Sequence, residues 1–316
     1  MDVYPDMGRF ALVYQYILSD THEVVLHNLD TRRTVLVSLP NPDGFEINHD
    51  NDPEGLLPVK NAVEVLEKHT ADLPPDTVAM YTDGSSLLSV STDAEKDLTH
   101  GTNHFPLEEH QLPPHIAAKT VLRSELTEAR RFVAEVDLVS YPPSLCPSSS
   151  GRKAKTAGRY IFKYSPSLAN GLWKQVQMLA RLPRHPSLVP IDRLVLDELT
   201  GTRVVGFTMP YIASDSLEHA KPPLFKLKWL RQLMQLADDL NLEHGVVHQA
   251  IFHRNLIIDP ESDSIVLVNF DAASRVGVTM KSNNVRDHEG IVETMDNVSG
   301  IMLFLYKIHH SRSSAP

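Results

Sequence analysis

Five polar side chains bracket two short apolar runs between Glu243 and Ser274. His248, Arg254 and Asn255 precede the runs, and Asn269 and Asp271 follow them. The runs, Leu256 to Ile258 and Ile265 to Val268, are rich in Ile, Leu and Val. Between them Asp259-Pro260-Glu261-Ser262-Asp263-Ser264 supplies turn chemistry, so the stretch reads as a hairpin with a polar cluster at its open end. The chemistry on offer is an imidazole, a guanidinium, two carboxamides and one carboxylate. Magnesium is a hard cation that usually takes carboxylates, and a neutral amide such as that of Asn255 or Asn269 holds it only weakly. A further charge, Lys163, stands alone in the apolar strand Tyr160-Ile161-Phe162-Lys163-Tyr164.

In type and spacing this layout resembles the catalytic core of the protein kinase family, where a loop written H-R-D-L-x-x-x-N leads into a hairpin ending in D-F-G. His248 fits the loop histidine, and Asn255, seven residues on, fits the metal-binding asparagine. The position of the catalytic aspartate holds Ala250, whose methyl can neither accept a proton nor orient a hydroxyl. Asn269-Phe270-Asp271 stands in place of D-F-G, with asparagine for the metal-binding aspartate and aspartate for the glycine. The resemblance makes Lys163 the strand lysine that grips nucleotide phosphates and Gln175 the position of its partner glutamate. Met209 and Tyr211 would line the hinge beside the adenine, Met209 as gatekeeper. Nucleotide-binding candidates are thus Lys163, Met209, Tyr211, Asn255 and Asn269, with Asn255 and Asn269 as weak metal ligands.

The order of parts carries this resemblance from Thr120 to Ile308. A strand lysine is followed by a helix over Leu172 to Leu182 and Arg184-His185-Pro186-Ser187-Leu188-Val189. Then come the strand Val204 to Ile212, a helix over Lys226 to Glu243 stopped by Gly245, and the loop and hairpin. Asp296-Asn297-Val298-Ser299-Gly300 opens a last apolar helix, Ile301 to Ile308. The helix before the loop is expected to bury Leu227, Leu230, Leu233, Met234, Ala237 and Leu240. Details such as R-L-P-R-H-P and R-N-L-I-I-D are most similar to the kinase-like proteins of filamentous fungi, whose loop usually reads H-Q-D and whose hairpin usually ends D-F-D. Ala272 to Thr294 would be a shortened activation segment, and the chain's stop at Pro316 implies a shortened C-lobe.

Ahead of these parts, residues 1–118 read as a β-rich region of unassigned role. Phe10 to Leu18, Glu23 to Leu29 and Thr34 to Leu39 are strand-like, Val59 to His69 has helical apolar spacing, and Val78 to Tyr81 and Ser86 to Ser91 flank an Asp83-Gly84 turn. Asn41 to Pro58 is acidic and turn-rich. From Leu122 to Val133 the spacing predicts a helix, and Glu135 to Tyr141 a strand. Pro142 to Gly158, with three prolines, three consecutive serines and Arg152, Lys153 and Lys155, reads as a surface loop in the place of a glycine-rich turn, without its glycines. A serine beside these bases is a conceivable phosphorylation target, although solvated loops have the same composition.

Composition bounds the rest. The 316 residues carry a formal charge of −10, which argues against nucleic acid as a partner. One cysteine, Cys146, excludes an internal disulfide and suits a reducing compartment. No apolar run is long enough to span a bilayer, and the acids in MDVYPDMGRF speak against a secretory signal. His100, His104 and His110 lack paired-ligand spacing and read as solvated loop histidines.

The expectation is therefore an α+β chain: a β-rich region over 1–118, then a kinase-like two-lobed domain over 119–316, with an N-lobe to about 210 and a shortened C-lobe. Functionally it reads as an intracellular pseudokinase, in cytoplasm or nucleus, that engages a protein partner and binds ATP weakly at most, with magnesium disfavoured. The alternatives are a slow phosphotransferase using Asp271 as metal ligand, and a truncated, decaying kinase-like copy.

Overall fold

The computed structural model describes residues 9–18, 20–30, 32–41, 57–98, 105–106, 112–133, 135–145, 158–165, 169–197, 201–220 and 225–275. The expected activation segment beyond Arg275, the helix at Ile301 to Ile308, His100, His104, His110, Cys146 and the basic cluster at Arg152 lie outside the described residues, as do residues 42–56 of the acidic stretch.

The architecture is mixed α+β and rich in strands. Strands β1 (Phe10–Ile17), β2 (Thr21–Asn28) and β3 (Arg33–Pro40) form an antiparallel meander, and helix α1 (Leu57–His69) leads to β4 (Ala79–Thr82), which runs parallel to β3 and turns into β5 (Leu87–Ser91). Alternation decides which face is covered. Val24, Leu26, Val35, Val37 and Leu39 point to one side and meet Val59, Ala62, Val63, Val65 and Leu66 of α1, the residues whose spacing predicts that helix. The Asp83-Gly84 turn forms as expected: Asp83 Oδ1 accepts the backbone N–H groups of Ser85 and Ser86 at 2.9 and 2.6 Å, and Gly84 has a positive φ of 94°.

A second, seven-stranded sheet follows. It contains β6 (Phe105–Pro106), β7 (Thr120–Leu122), β8 (Thr127–Val133), β9 (Val136–Ser140), β10 (Arg159–Tyr164), β11 (Arg193–Leu196) and β12 (Arg203–Pro210). Its order is β7-β11-β12-β10-β9-β8, with β6 also paired to β12 and the short helix α2 (Pro114–Ala117) ahead of β7. The sheet thus takes one strand from before residue 119. Helix α3 (Ala169–Arg181) packs Leu172, Trp173, Val176 and Leu179 into one core with Leu194 and Phe207 of the sheet.

That core continues into a third group of elements: α4 (Leu217–Ala220), α5 (Leu227–Asp238), β13 (Val246–Val247), the hairpin β14 (Leu256–Asp259) and β15 (Ser264–Leu267), and β16 (Ser274–Arg275), which pairs β13. Helix α5 widens into a π-helical turn over Asp239–Glu243, and Gly245, at φ 61°, ends it in the left-handed conformation expected of a glycine stop.

Three expectations need correction. Leu122 to Val133 is not a helix: a 3-10 turn at Arg123–Glu125 ends it, with the Glu125 carboxylate accepting the Leu122 N–H at 2.9 Å. Thr127–Val133 then pairs with β9 through two bulges. The demand comes from Asp137, 1% exposed on β9, which lies 3.4 Å from Arg131 and 3.8 Å from Arg123, while Arg123 also pairs with Glu128. Tertiary charge pairing overrides a spacing that reads as helical. In α5, Leu227 and Met234 are more than half exposed, and the buried stripe is instead Trp229, Leu233, Leu236, Ala237 and Leu240. Trp229 anchors it by donating its indole N–H to the Asp263 carbonyl at 2.9 Å. The third correction concerns the turn beside Lys163 and is described with the site. Among the described residues no helix is long and apolar enough to cross a membrane.

Candidate functional site

Lys163 is the centre of the site. It lies on β10, flanked by β9 and β12, and its side chain is 13% exposed. Its ammonium donates to Asn269 Oδ1 at 2.8 Å, to Gln175 Oε1 at 3.0 Å and to Asp271 Oδ1 at 3.3 Å. Three acceptors saturate the three N–H bonds of an ammonium. Burial pushes the Lys163 pKa down, against the pull of the Asp271 and Glu135 carboxylates. Gln175, on α3 and 4% exposed, uses its other end to donate to the same Asp271 oxygen. Asp271 is therefore the counter-ion of the lysine, with the amide of Gln175 as a bridge.

The hairpin brings the remaining polar groups to this point. Asn269 adopts a positive φ of 67°, a conformation that asparagine tolerates better than most residues. This follows β15 directly and turns the Asn269 side chain toward Lys163 and Asn255, whose Oδ1 accepts from Asn269 Nδ2 at 3.4 Å. Asn255, 4% exposed, donates to the Ala250 carbonyl at 2.8 Å, closing the loop onto itself. His248 is fully buried; its Nδ1 accepts the Ala250 N–H at 3.3 Å and its Nε2 donates to the Val268 carbonyl at 3.2 Å. Burial lowers its pKa to about 4, so the ring is neutral. Phe270 meets that ring edge to face, with centroids 4.6 Å apart.

Lys163, Gln175, His248, Ala250, Asn255, Asn269, Phe270 and Asp271 are thus brought together. Met209 and Tyr211 are not joined to this network. Met209 is buried in the apolar core on β12, opposite Ile161, while Tyr211 lies just past the strand, its N–H donating to the Arg159 carbonyl at 3.3 Å and its ring stacked on Phe132. Arg254 sits over the Phe252 ring at 5.0 Å, in a shallow depression shared with Glu218 and His253.

The turn that adjoins Lys163 is not Pro142 to Gly158. That stretch joins β9 to β10 where Ser140 pairs Arg159, whereas Lys163 pairs Val136 at the other end of the ladder. The turn beside the lysine is the one between β8 and β9, and it contains no glycine. It also supplies a group that the sequence pattern does not single out: Glu135, whose carbonyl accepts the Tyr164 N–H at 3.1 Å and whose carboxylate accepts from Ser165 at 3.0 Å. Burial raises the Glu135 pKa, and the Asp271 charge adds to the rise. Its sequence signal is an acid at the start of a largely apolar strand, which is too common to mark a site.

Compared with known proteins, the chain matches no family model and no curated protein sequence.

The Asn269 oxygen is held by an ammonium, and the Asn255 oxygen by an amide. Among the described residues no three of His, Cys, Asp or Glu converge as ligands. Two carboxylates, Glu135 and Asp271, face Lys163 and would repel phosphate oxygens. Chemically the arrangement is an amide–ammonium–carboxylate network.

Proposed function

We propose that the chain is a protein kinase-like pseudokinase, a binding or regulatory module that transfers no phosphate and binds ATP weakly at most. The observation that carries the reading is the saturation of Lys163 by Gln175, Asn269 and Asp271, beside an alanine at the position of the base. The order of elements supports the kinase-like, two-lobed part of it. Lys163 is on a central strand, its helix partner is at Gln175, and the hairpin presents Asn269 to the same ammonium, with Asn255 of the loop accepting from Asn269 in turn. A kinase uses this lysine on phosphates and needs carboxylates for its metal; here one acid neutralises the lysine instead. Loss of the base alone typically costs 10²–10⁴ in rate, and the missing metal carboxylate adds to that. The action is through a protein partner, inside the cell.

Thermal-shift titration with ATP and ADP, with and without Mg²⁺, tests the reading. Small, equal shifts that ignore the metal are expected. A Mg²⁺-dependent preference for ATP would overturn it in favour of a slow phosphotransferase with Asp271 as ligand.

A further inference from the structure

The face of the first sheet away from α1 carries a group that neither the fold nor the Lys163 network uses. Glu23, in β2, is 6% exposed. Its Oε1 accepts from Thr21 Oγ1 at 2.9 Å and from Ser38 Oγ at 2.7 Å. Its Oε2 is buried and meets no hydrogen-bond donor among the described residues. A buried carboxylate oxygen left without a donor or cation is costly, and such an atom calls for a partner: a water, an ion or a ligand group.

The strand register identifies what surrounds it. Tyr16, Glu23, Ser38 and Tyr81 stand directly opposite one another on β1, β2, β3 and β4, so their side chains leave the sheet on one face. In the next row on that face, Tyr14 stands opposite Val25. The rings of Tyr14 and Tyr16 lie 6.0 Å apart, nearly parallel, and are 36% and 42% exposed. At about 4.8 Å per strand, the tyrosines of β1 and β4 stand roughly 14 Å apart at their backbones, with Glu23 and Ser38 on the floor between them. Burial raises the Tyr16 pKa, and the charges of Glu23, Tyr14 and Tyr81 raise it further, as expected if these four groups share one site.

We propose that this face is a binding site for an aliphatic ammonium group, with the charge on Glu23 and the methylenes against Tyr14 and Tyr16. Aromatic faces attract cations through their quadrupole, and the free carboxylate oxygen supplies the counter-charge. An anion would meet an acid already in place; a neutral chain would leave Glu23 Oε2 unpaired. Exposed rings change rotamer in picoseconds to nanoseconds, so a ligand can reach Oε2 without any strand moving. The chain's charge of −10 further favours the approach of cations. This inference is independent of the pseudokinase reading.

The test is a titration of the full chain with n-butylammonium chloride, followed by the ring resonances of Tyr14 and Tyr16, with 1-butanol as the uncharged control. Saturable shifts are expected with the amine and not with the alcohol. Glu23→Gln retains an acceptor for Thr21 and Ser38, and should weaken binding at least tenfold; the methyl signals of Val24 and Leu26, on the opposite face, report that the variant is folded. Should that variant not fold, Tyr16→Leu at an exposed position should weaken binding several-fold. A peptide with one lysine and blocked termini separates the sources: tighter binding than butylammonium assigns the site to a partner's side chain, weaker binding to a free amine. Equal responses to amine and alcohol, binding unchanged in Glu23→Gln, or no saturable response would each overturn the proposal.

Discussion

Lys163 donates to Asn269 at 2.8 Å across 106 residues of sequence. This bond ties the second sheet to the open end of the β14–β15 hairpin, and it occupies the Asn269 side-chain oxygen. The same bond predicts that repair by single substitution fails. Ala250→Asp should give no phosphotransfer, either to generic substrates or to itself, because Asn269 remains neutral and bound to the lysine. A radiolabelled ATP assay checks this, and turnover like that of an ordinary kinase would refute the role assigned to Asn269.

Gln175→Glu would place a second carboxylate against Asp271, where the amide N–H now donates. It restores a charge partner for Lys163 and removes the bridge. Because Asp271 already neutralises the lysine, destabilisation by about 1–3 kcal/mol is expected, read from urea unfolding. A gain in stability would show that Lys163 lacks a sufficient counter-charge.

Stability should fall on mild acidification through His248. The folded-state pKa of this base is lowered to about 4 from 6.5. Between those values the unfolded chain takes up a proton that the folded chain refuses, so its contribution is complete above pH 6.5 and is lost as pH drops. The loss amounts to about 3 kcal/mol. Urea unfolding at pH 7 and pH 5 should read about 2 kcal/mol of it, and His248→Gln should flatten the slope.

Glu135 has the opposite sign. Its folded pKa is raised, chiefly by burial, so the unfolded chain loses the proton first and stability declines as pH rises above about 4.5. Glu135→Gln keeps an acceptor for Ser165 and should stabilise the protein at pH 7.5 by about 1 kcal/mol, with the difference vanishing near pH 4. A loss at pH 7.5 would mean that attraction to Lys163 outweighs burial.

Gly206→Ala should destabilise by about 1–3 kcal/mol. A Cβ there would lie 2.3 Å from the Lys163 carbonyl oxygen and 2.7 Å from the Phe162 ring, so β10 and β12 would have to separate. Thermal denaturation checks this, and Gly171→Ala, which meets nothing within 4 Å, is the control.

Much of the fold was legible because its signals are local. The α1 spacing, the Asp83-Gly84 turn, the hairpin after Asn255 and the Gly245 stop each depend on residues within one turn or strand. Failures arose where a distant partner decides. Nothing near Thr127 says that Asp137 will need two guanidiniums, so β8 reads as a helix by spacing alone, and the turn beside Lys163, with Glu135 on it, exists only once β8 pairs with β9. At the site, the resemblance to kinases points to Lys163, Gln175, Asn255 and Asn269. It does not reveal that Asp271 would become the counter-ion of Lys163, because that depends on the positive φ of Asn269 and on α3 packing across the sheet. Glu23 passed unnoticed for a similar reason: an acid in a strand reads as solvent-facing until its neighbours' register is known.

Arg131 is the hinge pin between the two sheets' fates. Its guanidinium reaches Asp30 at 3.0 Å and the Leu29 carbonyl at 3.1 Å, at the end of β2, while its Nε faces Asp137 on β9. Strand β8 ends the second sheet's order, and what discourages another chain from adding to that edge is its two bulges and its charged residues. A fragment starting after residue 98 would lose Asp30 and Leu29 as partners of Arg131 and leave that guanidinium to Asp137 alone. The charge environment of the buried Asp137 in such a piece would therefore differ from that in the whole chain, and a stability measured on it would report the cut rather than the protein.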